Sequence, residues 1–390
     1  MGSAGEDRSE SAKGAEPDHR RRQTDRIAMA VAMLVVLLTA ICLRVATAPI
    51  PLERDEGEYA YIGWRWLQGA VPYLDSFNQK TPGSFAVYAT VLRLFGSSPA
   101  SLHWGIQLYS LATLALIFWL GLRLFGLPEA FVAALLACLL MADPNLYGNA
   151  ANTETLAILP LTAATIAALR ASESGGWRRC VITGALGAIA LLFKPQVAPI
   201  VIFHFLAIAT TRSRWLTTAW SFGLGCAAVL GLAGLYFWAE GALWSMWDAT
   251  VRFNLRYAAG VGLASYPTML VKQMGPTLSG LWPIYAAVLV GLVTPELRNP
   301  SAPAPGARTA RGSRRSWLWV AAWLAASLVA AASGGWFRRH YFHLLIPPAS
   351  LMAAVGLRAL GGALLAGRPA RLLSAALAVA IVAFSVYGSW

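Results

Sequence analysis

A chain of 390 residues with 57% hydrophobic and only 13% charged side chains does not have a soluble protein's composition, in which about a quarter of residues are charged. The mean hydropathy of +0.56 agrees, and apolar runs of roughly 17 to 24 residues recur along the chain, each long enough to cross a bilayer as a helix. A soluble enzyme, a disulfide-stapled secreted scaffold and a β-barrel are excluded. The expected class is an all-α, polytopic helical membrane protein. The net charge of +13 does not point to nucleic acid, because the basic runs flank apolar segments as the positive-inside rule requires. The four cysteines, Cys42, Cys138, Cys180 and Cys226, lie in or beside apolar runs without metal-ligand spacing, so neither disulfides nor zinc are expected.

Residues 1–26 are polar and without periodicity, and are expected to be a disordered cytoplasmic tail. Arg20, Arg21, Arg22 and Arg26 precede the first apolar run, about 27–47. This run is long and lacks a clear cleavage site, so it reads as a retained helix with its N-terminal flank in the cytoplasm. Residues 27–390 are then one transmembrane domain. Further spans are expected near 102–124, 130–147, 155–170, 180–193, 195–210, 215–238, 276–295, 316–333, 342–358 and 372–388. That makes about eleven helices and an external C-terminus. The pair around Lys194–Pro195 has short members and a tight break. About 20 of the 31 Lys and Arg fall on the predicted cytoplasmic side, the sign the rule requires.

Two external segments are too long for simple turns. The first, about 48–101, reads as amphipathic helices lying on the membrane, with Tyr59, Ile62 and Trp66 on one face and Tyr61 and Trp64 as interfacial anchors. The second, about 239–275, is rich in aromatics. The 296–315 loop, with Pro300, Pro303 and Pro305, reads as a flexible cytoplasmic connector. No internal repeat is evident, which weighs against many transporter folds.

The densest polar cluster follows the first span: Glu53, Arg54, Asp55, Glu56, Glu58 and Tyr59. Its three carboxylates at 55, 56 and 58 repel one another. Asp55 and Glu58 have the spacing of a capping box, but capping leaves Glu56 unexplained. A second cluster, Asp75 to Gly83, contains Lys80, an external cation suited to a lipid phosphate as a compact point charge or to solvent. A third is Asn149, Asn152 and Glu154, where a carboxylate entering an apolar run costs about 2.5–3.5 kcal/mol and needs a partner, a cavity or a helix dipole. A fourth is Arg338, Arg339, His340 and Tyr341, where paired guanidinium forks could grip a phosphate or snorkel to headgroups. His340 and His343 share a helical face but make a poor metal site without matching carboxylates. Lys194 joins the phosphate group only if its break is external. Asp143 also lies within a hydrophobic segment and has no evident role. Together these groups set acids and cations on one face, a pattern suited to an enzyme acting at the membrane boundary on a lipid-borne anion.

Asp-Glu-Gly-Glu-Tyr-Ala at 55–60 and Asn-Gln-Lys-Thr-Pro-Gly at 78–83 resemble the first external loop of the GT-C fold glycosyltransferases. The similar groups are the protein O-mannosyltransferases, aminoarabinose transferases and lipopolysaccharide-core galacturonosyltransferases. Ala-Asn-Thr-Glu-Thr at 151–155 and Arg-His-Tyr-Phe-His-Leu-Leu-Ile-Pro-Pro at 339–348 are similar to later family motifs. The resemblance implies transfer of one sugar, with inversion, from a polyprenyl-phosphate donor to a glycolipid, polysaccharide or protein acceptor outside the membrane. It implies Asp55 as general base with Glu56 in support, and Lys80, Arg338 and Arg339 on the donor phosphate. Glu58, Tyr59, Gln79, Asn152, Glu154, His340 and Tyr341 are the implied contacts to sugar or acceptor. No metal or other cofactor is expected. The chain is short for the family, and Gln79 stands where some relatives carry an acid. A transporter or lipid flippase, and a non-catalytic membrane subunit, are the competing expectations.

Overall fold

The computed structural model of the chain describes residues 6–212, 214–294 and 314–364. Fourteen α-helices occur among them: α1 (Glu6–Thr47), α2 (Arg54–Leu67), α3 (Gly83–Phe95), α4 (Pro99–Leu124), α5 (Leu127–Leu140), α6 (Thr153–Ser174) and α7 (Trp177–Leu191), then α8 (Ala198–Ala209), α9 (Trp215–Ala239), α10 (Leu243–Trp247), α11 (Phe253–Ala259), α12 (Tyr266–Val293), α13 (Arg314–Ala332) and α14 (Ile346–Leu364). No strand is present among the described residues. The chain is an all-α, polytopic membrane protein.

Among the described residues, six helical stretches are long and apolar enough to cross a membrane: Gln23–Thr47, Pro99–Leu124, Thr153–Ser174, Trp215–Ala239, Arg314–Ala332 and Arg339–Gly361. A seventh is reached if Leu263–Leu278 and Gly280–Val293, which meet at 105°, form one bent span. Pro276, Gly280 and Pro283 account for the bend, since proline removes an amide donor and clashes with the preceding turn. This is fewer than the eleven expected. Leu127–Leu140 and Pro195–Ala209 are apolar but short, and the span expected at 372–388 lies outside the described residues. So does most of the 296–315 connector. The backbone is helical from Glu6 onward, through the segment expected to be a disordered tail.

Small residues let the helices approach closely. A Cβ on Gly184 or Gly225 would collide with backbone across the α7–α9 contact, and one on Gly291 or Gly356 would do so between α12 and α14. Between helices in lipid, where the hydrophobic effect offers little, such backbone approach supplies the dispersion contacts. Along α9, Leu224, Leu232 and Leu235 stay exposed, as a lipid-facing surface does.

The bundle has two ends. Twenty-two residues of α6 span about 33 Å at 1.5 Å per residue, matching a hydrocarbon core of about 30 Å. At one end Arg123 pairs with Glu173 and Arg358 with Glu129. At the other lie α2, α3, the turn between α7 and α8, the α10–α11 segment and the 333–345 loop, and these build the site.

Candidate active site

The site begins at the N-terminus of α2. Glu53 is the N-cap: its side chain accepts from the Asp55 amide at 2.8 Å, while Glu56 Oε2 accepts from the Glu53 amide at 3.0 Å. The capping box therefore uses Glu53 and Glu56, two residues earlier than Asp55 with Glu58. Both latter acids are released from capping and line a cavity.

Glu56 faces away from that cavity and is buried. Its Oε1 accepts from the Ala151 amide at 2.7 Å and from the Tyr88 hydroxyl at 3.3 Å, and its Oε2 lies 3.4 Å from His103 Nε2. Burial alone would raise the Glu56 carboxyl, but His103 and the amides of Ala151 and Glu53 hold it below the usual carboxylate value. These bonds fasten α2 to α3, α4 and the loop before α6. Arg44 holds the same loop by donating to the carbonyls of Asn149 at 3.1 Å and Gly148 at 3.4 Å.

Lys80 stands on the loop between α2 and α3, shaped by a bond from its own amide to Asn78 Oδ1 at 2.8 Å. Tyr73 and Asn254 add donors to the carbonyls of Lys80 and Gln79. At its end Gly83 donates to the Leu192 carbonyl at 2.8 Å. A Cβ on Gly83 would come 2.6 Å from that oxygen, so only glycine lets this loop lie on the break between α7 and α8. That contact brings Lys80 and Lys194 into one cavity.

Lys194 is buried, bonded to Glu154, with its ammonium 3.6 Å from the centre of the Tyr341 ring. Glu154 also accepts from Thr153 Oγ1 at 2.8 Å and lies 3.9 Å from His340 Nε2. Tyr147 edges onto His340 from a left-handed backbone conformation (φ 59°), a strained arrangement for a non-glycine residue. Gly334 and Gly335, both at positive φ, turn the chain out of α13. Trp336 then stacks on Tyr257, and the Arg338 guanidinium lies 5.1 Å from the Trp336 ring.

These elements enclose a cavity of about 700 Å³. Asp55 Oδ2 lies 3.8 Å from Lys80 Nζ and 3.5 Å from the Tyr59 hydroxyl, while Oδ1 accepts from Arg54 at 3.1 Å. The lining holds five Lys or Arg (Arg54, Lys80, Lys194, Arg338, Arg339) against three acids (Glu53, Asp55, Glu58). Such a cavity favours an anion. The Glu58 carboxyl is pushed up by partial burial first and by neighbouring Asp55 second.

Of the residues expected from the sequence, Asp55, Glu58, Lys80, Gln79, Asn152, Arg338, Arg339, His340 and Tyr341 line this cavity. Tyr59 and Glu154 are not part of the lining: Tyr59 is buried against Asp55, and Glu154 lies under Lys194. Glu56 is the departure, because the helix turns it into the protein. His343 is a packing residue, between Thr155 and the Leu146 carbonyl. Asp143 caps the turn after α5 by accepting from the Asn145 amide at 2.7 Å. Sequence reasoning missed Trp336 and Asn254, and registered Tyr257 only as part of the aromatic-rich 239–275 segment. It also missed Thr81, whose buried hydroxyl lies in the lining without a protein partner. Among the described residues no three His, Cys, Asp or Glu side chains cluster as metal ligands.

Residues 79–238 match the family described as dolichyl-phosphate-mannose-protein mannosyltransferase. ArnT from Cupriavidus metallidurans, solved bound to undecaprenyl phosphate, superposes with a TM-score of 0.55 at 14% identity, over 92% of this chain and 69% of its own. The Archaeoglobus fulgidus oligosaccharyltransferase, solved in complex with zinc and sulfate, superposes with a TM-score of 0.51 at 13% identity, over 92% and 53%. The chain thus spans about half the length of the second neighbour. No curated protein matches it in sequence. The chain therefore shares the GT-C fold of these two membrane proteins, and its segment 79–238 matches the mannosyltransferase family model.

Proposed function

We propose that the protein transfers a single sugar from a polyprenyl-phosphate donor to a hydroxyl acceptor, and does so on the outer face of the cell membrane. The acceptor class is a glycolipid, glycan or protein of the cell envelope. The observation that carries the proposal is the convergence of Asp55 and Lys80, 3.8 Å apart, in a cavity whose other wall holds Arg338 and Arg339. The ArnT neighbour was solved with undecaprenyl phosphate, which supports a lipid-linked donor of this chemistry.

In this reading Asp55 takes the proton from the acceptor hydroxyl as its oxygen attacks the anomeric carbon. The bond from that carbon to the phosphate oxygen breaks, and polyprenyl phosphate leaves with an additional negative charge. Attack opposite the leaving group inverts the anomeric centre. Lys80, Lys194 and the 338–339 arginines meet the developing charge, which is where fixed cations accelerate a reaction most. A positioned base adds about 10²- to 10⁴-fold. Tyr59 holds Asp55, Glu154 holds Lys194 and His340, and Glu58, Gln79, Asn152 and Tyr341 form the polar wall for sugar and acceptor. The proposal calls on no metal. A flippase would need its charges along a path through the bilayer midplane, whereas these gather at one end of the bundle.

The test is an in vitro transfer assay with polyprenyl-phosphate sugars and wild-type or Asp55→Asn protein in detergent. Transfer should collapse in a variant that still elutes and melts like wild type. Near-normal transfer by Asp55→Asn would remove the residue as base.

A further inference from the structure

A second cavity, of about 250 Å³, lies at the opposite end of the bundle. It sits where α6 ends and α7 and α9 begin, lined among others by Gly175, Trp177, Arg212, Arg214, Thr217 and Thr218. The 33 Å or so of α6 separate it from the active-site cavity, and among the described residues no acid lines it. Glu173, close by in sequence, pairs with Arg123 instead.

Arg212 donates to the carbonyls of Ala171 at 2.7 Å and Ser172 at 3.0 Å, satisfying acceptors at the end of α6. Neither carbonyl neutralises its charge, and its Nε is buried without a partner. The guanidinium lies so close to Gly175 (φ 73°) that a Cβ there would come within 3.0 Å of it. Arg214 is exposed and opens α9. Neither Gly176 before α7 nor Arg214 before α9 caps its helix with a side chain, so both first turns add partial positive charge beside the arginines. Trp177 in the lining, and Trp215 and Trp220 in the first turns of α9, are 58%, 58% and 80% exposed. Bare indoles near the end of a spanning helix belong at the membrane–water interface.

We infer that this cavity binds the phosphate headgroup of an anionic membrane lipid, whose acyl chains run down the exposed face of α9. A basic pocket between helix ends, at the surface where anionic headgroups lie, attracts them by about fivefold in affinity per arginine. Free phosphate offers the same kind of anionic oxygens and at least as much charge, but makes no use of the bare tryptophans and leucines. The inference does not depend on the sugar-transfer reading.

The full-length protein in a neutral detergent is titrated with phosphatidylglycerol, phosphatidylcholine or inorganic phosphate while its melting temperature is followed. Phosphatidylglycerol should raise it saturably and phosphatidylcholine should not. Arg214→Gln should shift the phosphatidylglycerol midpoint about fivefold upward, while Arg214→Lys leaves it near wild type. Should Arg214→Gln fold poorly, Thr217→Glu serves, because an acid in the first turn of α9 is favoured by the helix dipole yet repels the headgroup. Equal stabilisation by phosphatidylcholine, or an unmoved midpoint in these variants, overturns the site. Inorganic phosphate matching phosphatidylglycerol at equal concentration overturns the lipid assignment.

Discussion

Asp55 and Glu56 are neighbours in the chain and carry the same functional group, yet α2 turns them to opposite sides. Glu56 meets four donors and no cavity. Asp55 meets a cavity in which cations outnumber acids. A fully bonded buried carboxylate is a fastening, since its desolvation is already offset and a substrate has nothing left to bond. A carboxylate on a cavity wall, with cations beside it, can still exchange protons and partners. The proposed reaction therefore draws on the first residue, while the second fastens the architecture.

Isosteric amides break that comparison most sharply. Asp55→Asn should lower kcat by about 10²- to 10⁴-fold with an unchanged melting temperature. Lys80→Ala comes next: losing one charged contact to phosphate, worth about 1.5–3 kcal/mol, should raise the donor KM about 10- to 100-fold, read from initial rates against donor concentration. Gly83→Ala tests the loop's seat on Leu192. Its Cβ meets a carbonyl at 2.6 Å, so a strain of about 1–3 kcal/mol should appear as a lower melting temperature together with weaker donor use.

The smallest effect on transfer should come from Glu56→Gln. It should cost about 2 kcal/mol of stability while activity per folded molecule is retained. Because the folded Glu56 carboxyl sits below its ordinary value of 4.5, its contribution is complete above that pH and is lost as pH falls through the folded value. The gap in stability between wild type and Glu56→Gln should therefore hold down to pH 4.5 and close below it, as followed by thermal melts carried from pH 7 to well below pH 4. A gap that widens on acidification contradicts the assignment.

Much of this was legible in the sequence because membrane insertion writes simple rules. Apolar run length showed the class, and the face shared by Tyr59 and Ile62 showed which side of α2 packs. Lys80 and Arg338 stood out because the expected topology puts them outside, where the positive-inside rule disfavours cations. The role of Glu56 was not legible, since it depends on where α2 starts: a shift of two residues exchanges the capping pair and rotates each acid to a new neighbour. Lys194 was legible only conditionally, because its place depends on Gly83 touching Leu192, more than a hundred residues away. The aromatic wall of Tyr257 and Trp336 depends on tertiary stacking that no local period encodes.

The central claim is that one cavity holds the donor phosphate against Lys80 and the 338–339 arginines while Asp55 faces the acceptor. A cryo-EM structure of the protein with polyprenyl monophosphate tests it most directly. The phosphate is expected within hydrogen-bonding distance of Lys80 and of Arg338 or Arg339, with the Asp55 carboxylate still open to the cavity. A phosphate seated elsewhere, with Lys80 still 3.8 Å from Asp55, would contradict the account.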